Sequence, residues 1–308
     1  MRIRIGTRNS PLALWQAQCV ADLLRYHGAE TELIPIETKG DKVLHTSIAK
    51  IGSKGVFTEE LEEKLRNKEI DIAVHSAKDL PSALAEDLEI IAFTEREQVN
   101  DVVISFQPHN TLESKKPLKI GTSSTRRTAL LRRFYPHHLV TDMRGNLQTR
   151  LRKLQEGACD AILLAYAGVH RMNYHHLIVQ HLSTDCFTPA VGQGSIAVEA
   201  SVSIPLRMRA LVRAAVNHVP TEICLKTERA FLRAMNGGCS VPVFGFAHFT
   251  HQQLNMVGGI VSLDGSELIK SSFESPALEA FEKATELAQR ILENGGAQIL
   301  ARIKSVGL

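Results

Sequence analysis

Apolar positions recur along this chain with two periods. Ile3–Gly6 reads as a short strand, and Ser10 and Pro11 then open a helix to about Tyr26. Ser10 is its expected cap, Pro11 suits its first turn, and Gly28 stops it. A second strand is expected near Glu32–Glu37, and the Gly-Ser-Lys-Gly stretch at 52–55 reads as loop. Thr58–Asn67 follows as a helix with Leu61 and Leu65 four apart, and Asp71–His75 as a buried strand ended by Lys78-Asp79-Leu80-Pro81. Alternation of this kind predicts α/β architecture.

The pattern then echoes itself. Lys119-Ile-Gly-Thr repeats the sense of Arg4-Ile-Gly-Thr, and each leads through serine into a helix with basic residues near its start. The helix Leu147–Gln155 leads to the strand 160–164, as the helix at 59–67 leads to the strand at 71–75. Two similar lobes follow, with strand ends facing a shared cleft. Pro189-Ala-Val-Gly-Gln-Gly reads as a crossover, and Ser195–Glu199 as a strand returning to the first lobe. After Pro220 come a helix over Thr221–Met235, three short strands (about 241–248, 254–262 and 266–273) and a helix over Ala277–Glu293 closed by Gly295-Gly296. The expected division is 1–97 with 195–216, then 98–194, then a small α+β domain over 217–308.

Composition narrows the classes. With 44% hydrophobic and 22% charged residues and a net charge of +3, no nucleic-acid or membrane partner is required. No stretch approaches the roughly 18 apolar residues of a membrane span, and the N-terminus reads as a strand, so a cytoplasmic location is the default. Five cysteines at wide spacings form no Cys-x-x-Cys pair, which argues against zinc and against a disulfide framework. The thirteen histidines scatter, and His137-His138 and His175-His176 read as surface. No metal site is expected.

Charge is nonetheless concentrated. Between 126 and 153 lie eight basic residues against one acid, Asp142. On a helix from about Ser124, Leu130, Leu131 and Phe134 define the apolar face; Arg127 falls in its middle and Arg126 at its edge. A guanidinium so placed must find an anion or acceptors. Arg150 flanks the stripe of the next helix, whereas Arg132, Arg133 and Arg152 point away. Thr122, Ser123 and Ser124 add hydroxyls and free N–H groups at a helix start, an anion cradle. Asp79 lies just past a strand end, where a carboxylate could move a proton or merely cap a turn. Cys239 is the cysteine in a Gly-rich, Pro-bounded loop, the most accessible of the five and poorly placed for a thiolate.

Seven segments in order resemble the porphobilinogen deaminase family: Arg8-Asn-Ser10-Pro-Leu-Ala-Leu-Trp15-Gln16, Lys54-Gly-Val-Phe57-Thr-Glu-Glu-Leu, His75-Ser76-Ala-Lys78-Asp79-Leu-Pro, Gly121-Thr-Ser-Ser-Thr-Arg126-Arg127, Arg144-Gly145-Asn146 with Thr149-Arg150-Leu, Pro189-Ala-Val-Gly-Gln193-Gly and Gly237-Gly-Cys239-Ser-Val-Pro. The resemblance implies three α/β-type domains, the first two like type II periplasmic binding-protein lobes, and head-to-tail condensation of four porphobilinogen molecules into hydroxymethylbilane with release of ammonia. It implies a dipyrromethane held covalently by Cys239 and Asp79 as the catalytic carboxylate. Arg8, Arg126, Arg127, Arg144, Arg150 and Arg171 would pair with acetate and propionate groups, helped by Lys78, Ser10, Ser76 and Thr122–Ser124, with Gly145 and Gln193 beside them. Lys54 and Phe57 would lie on a lid. A monomer is expected.

Three departures stand out: Thr125 where the family usually has Leu, Glu59 where Lys is common, and Gln-Val-Asn-Asp at 98–101 for Asp-Pro-Arg-Asp. Two other functions remain open from residues alone. An arginine-lined cleft suits a binding protein for a small anion, which the third domain with Cys239 disfavours. Nucleic-acid binding through 126–153 is disfavoured by 5% aromatic content and the low total charge.

Overall fold

The structure is a computed structural model that describes residues 1–42, 58–238 and 241–305. Its first sheet has the order β2-β1-β3-β10-β4, built from β1 Arg2–Arg8, β2 Glu30–Ile36, β3 Ile72–Ser76, β4 Leu88–Phe93 and β10 Ile196–Ser201. A second sheet has the order β7-β6-β8-β5-β9, from β5 Asp101–Ile104, β6 Lys119–Gly121, β7 Leu139–Thr141, β8 Ala161–Ala165 and β9 Ile178–His181. The two orders match position for position. In each, a central strand pairs parallel with two neighbours, β1 with β2 and β3, β6 with β7 and β8. In each, the fourth position holds an antiparallel strand, β10 or β5, that enters just after the chain has crossed from the other lobe.

Parallel strands buried on both faces need helices on both faces. Period-two alternation sorts their side chains: Ile72 and Val74 join Ile3, Ile5, Val20 and Leu24 in one core, while Ala73 turns to Leu61, Leu65 and Ile70 in another. The helix Pro11–Tyr26 supplies Val20 and Leu24, with Ser10 accepting from the Ala13 N–H as its cap. The helix Leu206–Val216 closes the same face with Met208, Val212 and Val216.

The C-terminal part is an antiparallel meander of β11 Val243–Thr250, β12 Gln253–Val261 and β13 Leu268–Ser275. It packs on helices Val219–Ala234 and Ala280–Ile291. Gly295-Gly296 closes the helix Ala280–Ile291, as the sequence suggests: Asn294 and Gly295 leave helical backbone, Gly295 at φ +108. A further helix that the sequence pattern did not single out, Ala297–Ser305, follows and buries Ile299, Leu300 and Ile303.

The surface reading of His138 needs correction. It is buried: Nδ1 accepts from the Leu118 N–H at 3.1 Å and Nε2 lies 3.0 Å from the Leu112 carbonyl. A ring with two backbone partners needs no solvent. Strands β4, β5 and β9 and the helices at Tyr166–Arg171 and Leu206–Val216 are elements that the sequence pattern did not single out. Among the described residues no helix is long and apolar enough to cross a membrane.

Candidate functional site

Strand β3 ends at Ser76, and one turn of 3-10 helix, Ala77–Asp79, carries the chain outward. Asp79 is half-buried in a small cleft bordered by Arg8, Ser10, Gln16, Thr58, His75 and Ser76. Its carboxylate caps no turn, and among the described residues no hydrogen bond or ion pair reaches it. The wall beneath it is set. Gln16 is buried, and its amide brackets the Ser76 hydroxyl, donating at 2.9 Å and accepting at 3.1 Å. Ser10 is nearly buried as the helix cap, so its Oγ faces the Ala13 N–H.

The opposite wall begins at the start of the helix Thr125–Phe134. Ser124 caps it by accepting from the Arg127 N–H, and Thr122 accepts from the Ser124 N–H. Ser123 donates to Asp142, which also accepts from Arg144 Nε at 2.7 Å. These contacts hold the Asp142 carboxyl below its ordinary value, against the effect of partial burial.

Arg126 and Arg127 are 5% and 6% exposed, so the apolar-face argument places them correctly inside. Their anion, however, is internal. Arg126 Nη2 donates to Asp101 Oδ2 at 2.7 Å and Arg127 Nη2 to Oδ1 at 2.8 Å, while each Nη1 donates to a backbone carbonyl, Thr188 and Leu163 respectively. Gln193 Nε2 adds a third donor to Asp101 at 2.9 Å. Burial opposes the charge on Asp101, but the two guanidiniums outweigh it and hold the carboxyl well below its ordinary value. Two cations on one carboxylate leave net positive charge at the cleft, and Nε of both arginines is buried with no partner.

The network reaches the Asp79 side. Gln193 Oε1 lies 3.5 Å from the Lys78 ammonium. Burial first, then the Arg127 charge, pushes the Lys78 ammonium down to about 8. The hinge that carries Gln193 presses on this turn. A Cβ on Gly192 (φ +79) would lie 2.8 Å from the Lys78 nitrogen, and one on Gly194 (φ +98) 2.6 Å from the Glu97 carbonyl.

Arg150 donates Nε to the Gly145 carbonyl at 2.9 Å. Burial and Arg127 push its guanidinium down to about 10, partly offset by the Asp79 charge across the cleft. Arg171 does other work. Its Nη2 donates to the Gly194 carbonyl at 2.6 Å and its guanidinium lies 5.7 Å from the Trp15 ring, so it latches the second lobe to the first. Glu59 is paired with Lys39 at 2.9 Å, and Thr125 opens its helix half-buried. Lys54, Phe57 and Cys239 lie outside the described residues.

Sequence reasoning missed the acids. Asp101 had one signal, a carboxylate heading the apolar run Asp-Val-Val-Ile. Glu228 is fully buried in the helix Val219–Ala234 and accepts from Arg96 at 2.6 Å and from the Gly192 and Ala247 N–H groups at 2.8 Å, joining the hinge to the third domain. Glu199 is fully buried 3.0 Å from His75 Nε2, directly behind the cleft.

Comparison with known proteins comes to the same family. A family model described as porphobilinogen deaminase, dipyromethane cofactor binding domain, matches residues 3–204, and one for the C-terminal domain of the same family matches 222–294. A relative in Desulfosudis oleivorans, named porphobilinogen deaminase, is 52% identical over 305 residues, 99% of this chain and 98% of its own length. One of the same name in Cytophaga hutchinsonii is 53% identical over 302 residues, 98% and 97% of the two chains. The periplasmic VFT2 domain of Bordetella pertussis BvgS covers 70% of this chain and 86% of its own at 17% identity, with a TM-score of only 0.42.

Asp101→Asn should cost about 3 kcal/mol or more in urea unfolding at neutral pH, because two buried guanidiniums lose their shared anion. A depressed carboxyl contributes stability above its unfolded pKa and loses it as pH falls toward the folded value. The gap between wild type and Asp101→Asn therefore narrows on acidification below about pH 4.

Proposed function

The chain belongs to the porphobilinogen deaminase family, transferases of tetrapyrrole and heme biosynthesis that condense porphobilinogen into hydroxymethylbilane, and we propose that it does so with Asp79 as catalytic carboxylate and Cys239 as the covalent anchor of its dipyrromethane. The observation that carries this reading is one unpartnered carboxylate, Asp79, facing a wall of cations. That wall fits a polyanionic group. Asp101 and Asp142 are already engaged, while Lys78, Arg150 and the orphaned Nε atoms of Arg126 and Arg127 keep positive charge without a carboxylate of their own.

Lys78, Arg126, Arg127 and Arg150 would hold the cofactor and substrate carboxylates, joined by Arg8, Arg144, Ser10, Ser76 and the Thr122–Ser124 hydroxyls. Guanidinium forks suit such groups, at about 1.5–3 kcal/mol for each charged hydrogen bond. Arg171 acts at the lobe boundary, Gln193 positions Lys78, and Gly145 provides the carbonyl that aims Arg150. When bound, the dipyrromethane supplies the terminal pyrrole to which incoming units add.

Porphobilinogen carries two carboxylates and a protonated aminomethyl group. Its loss of ammonia leaves an azafulvenium cation, and an ionised Asp79 stabilises that charge where it develops. After carbon–carbon bond formation a proton must leave the attacked ring carbon, and Asp79 is the base placed to take it. Gln16 keeps Ser76 fixed beside it, and Lys54 and Phe57 would cover the cleft. The reading includes a monomer acting in the cytoplasm, in keeping with the small net charge.

Intact-mass spectrometry of protein made with cofactor precursors present tests the anchor. Wild type is expected to be heavier than its sequence by one dipyrromethane and Cys239→Ser to have the bare mass; an unmodified wild type would contradict it. Lys78 predicts a pH effect. As pH rises through about 8 its ammonium loses its charge, so KM for porphobilinogen should rise. Lys78→Arg should lack that alkaline limb in KM measured from pH 7 to pH 9.5, values chosen to bracket roughly one unit or more on each side.

A further inference from the structure

A second cavity lies away from the cleft, between the first lobe and the third domain, with a volume of about 460 Å³. That is within the range of about 300–1,000 Å³ typical of small-molecule sites. Its floor is apolar, formed by Leu88, Ile90 and Phe93 of β4, and Phe281 stands 42% exposed among its lining residues. Leu84, Ala85 and Ala230 add to the apolar lining, and its charged residues are all basic: Arg229, Arg233 and Lys226 project from the helix Val219–Ala234, and among the described residues no acid lines the cavity.

These cations are not equivalent. Lys226 is paired with Glu222 at 2.7 Å. Arg229 is only 9% exposed, yet its acceptors are backbone carbonyls, Pro81 at 2.7 Å and Ser82 at 3.4 Å. No carboxylate lies within ion-pair distance of Arg229 or Arg233 among the described residues. Burial and the neighbouring Arg233 push the Arg229 guanidinium down to about 10. A buried cation without a counter-charge, above an apolar floor, is costly unless an anion joins it.

We propose that this cavity binds a small amphiphilic monocarboxylate, with its head on Arg229 and Arg233 and its apolar body over Leu88, Ile90, Phe93 and Phe281. The class follows from the lining. One deep cation and an apolar floor do not suit porphobilinogen, which carries two carboxylates and an ammonium, and a linear tetrapyrrole with eight carboxylates would leave most of its charge on hydrocarbon. The ligand would span the first lobe and the third domain, beside the carbonyls of the segment that follows Asp79.

Calorimetric titration of the holoenzyme tests this with decanoate, decan-1-ol and acetate. Decanoate is expected to bind at roughly 1 mM or better, and the other two at least about tenfold more weakly, because each lacks one half of the recognised group. Arg233→Glu, a change at an exposed position, and Ala230→Trp, which fills the cavity, should each weaken decanoate by about tenfold or more while keeping wild-type turnover. No decanoate binding by wild type, decan-1-ol binding as tightly as decanoate, or wild-type affinity in either variant would overturn the proposal. So would simple competition between decanoate and porphobilinogen, which would put the fatty acid in the catalytic cleft.

Discussion

Asp101 holds a full charge with no exposure to solvent, and the arrangement of the cleft hangs on how that charge is met. It lies at the first position of β5, the strand that the first lobe's chain contributes on entering the second sheet. Arg126 and Arg127 reach it from the second lobe's helix and Gln193 from the returning crossover. One buried carboxylate thus joins both crossings of the chain to the wall that faces Asp79. Burying such a group costs several kcal/mol and is tolerated only with its donors in place. The stoichiometry matters as much as the geometry. Two guanidiniums share one carboxylate, so the cluster is ordered by Asp101 without being neutralised, and positive charge remains there.

The other side of the hinge obeys the same rule. Glu228 is fully buried and gathers Arg96 with the backbone of Gly192 and Ala247, so the C-terminal part is tied to the segment that presses on Lys78. Arg171 and Trp15 latch the lobes on a third flank. These joints are charged or polar and sit where the lobes meet, whereas the third domain also shares apolar cores with both lobes: Phe244 and Val261 pack with Val103, Leu130 and Phe187, and Leu225 with Leu80 and Phe93. Polar joints of this kind fix relative position, and apolar cores give each unit its stability.

Much of this was visible in the chain itself. Period-two and helical spacing placed β1, the Ser10-capped helix, β3 and the helix with Leu61 and Leu65, and the echo of Arg4-Ile-Gly-Thr at Lys119 marked the two matching sheets. The need of Arg126 and Arg127 for an anion was also legible, since a guanidinium on an apolar stripe cannot stay unpaired. The identity of that anion was not. Asp101 is distant in sequence and reaches the arginines because the lobes exchange a strand, a long-range fact that no local period encodes. Glu199 and Glu228 were hidden for the same reason: Glu199 is one acid in an apolar strand and Glu228 one of several charged residues on its helix, and the partners of both come from other parts of the fold. The helix Leu206–Val216 was obscured by Arg207, Arg209 and Arg213 between its buried positions.

The central claim is that Asp79, alone among the carboxylates described at the cleft in having no partner, performs the chemistry, while the arginines only hold what it acts on. Asp79→Asn keeps the shape and removes the charge, so single-turnover and steady-state rates of that variant, with cofactor loading read from its intact mass, test the claim most directly. Normal loading with turnover lower by about a hundredfold or more is the expected result. Turnover within a factor of about two of wild type in a fully loaded Asp79→Asn enzyme would contradict it.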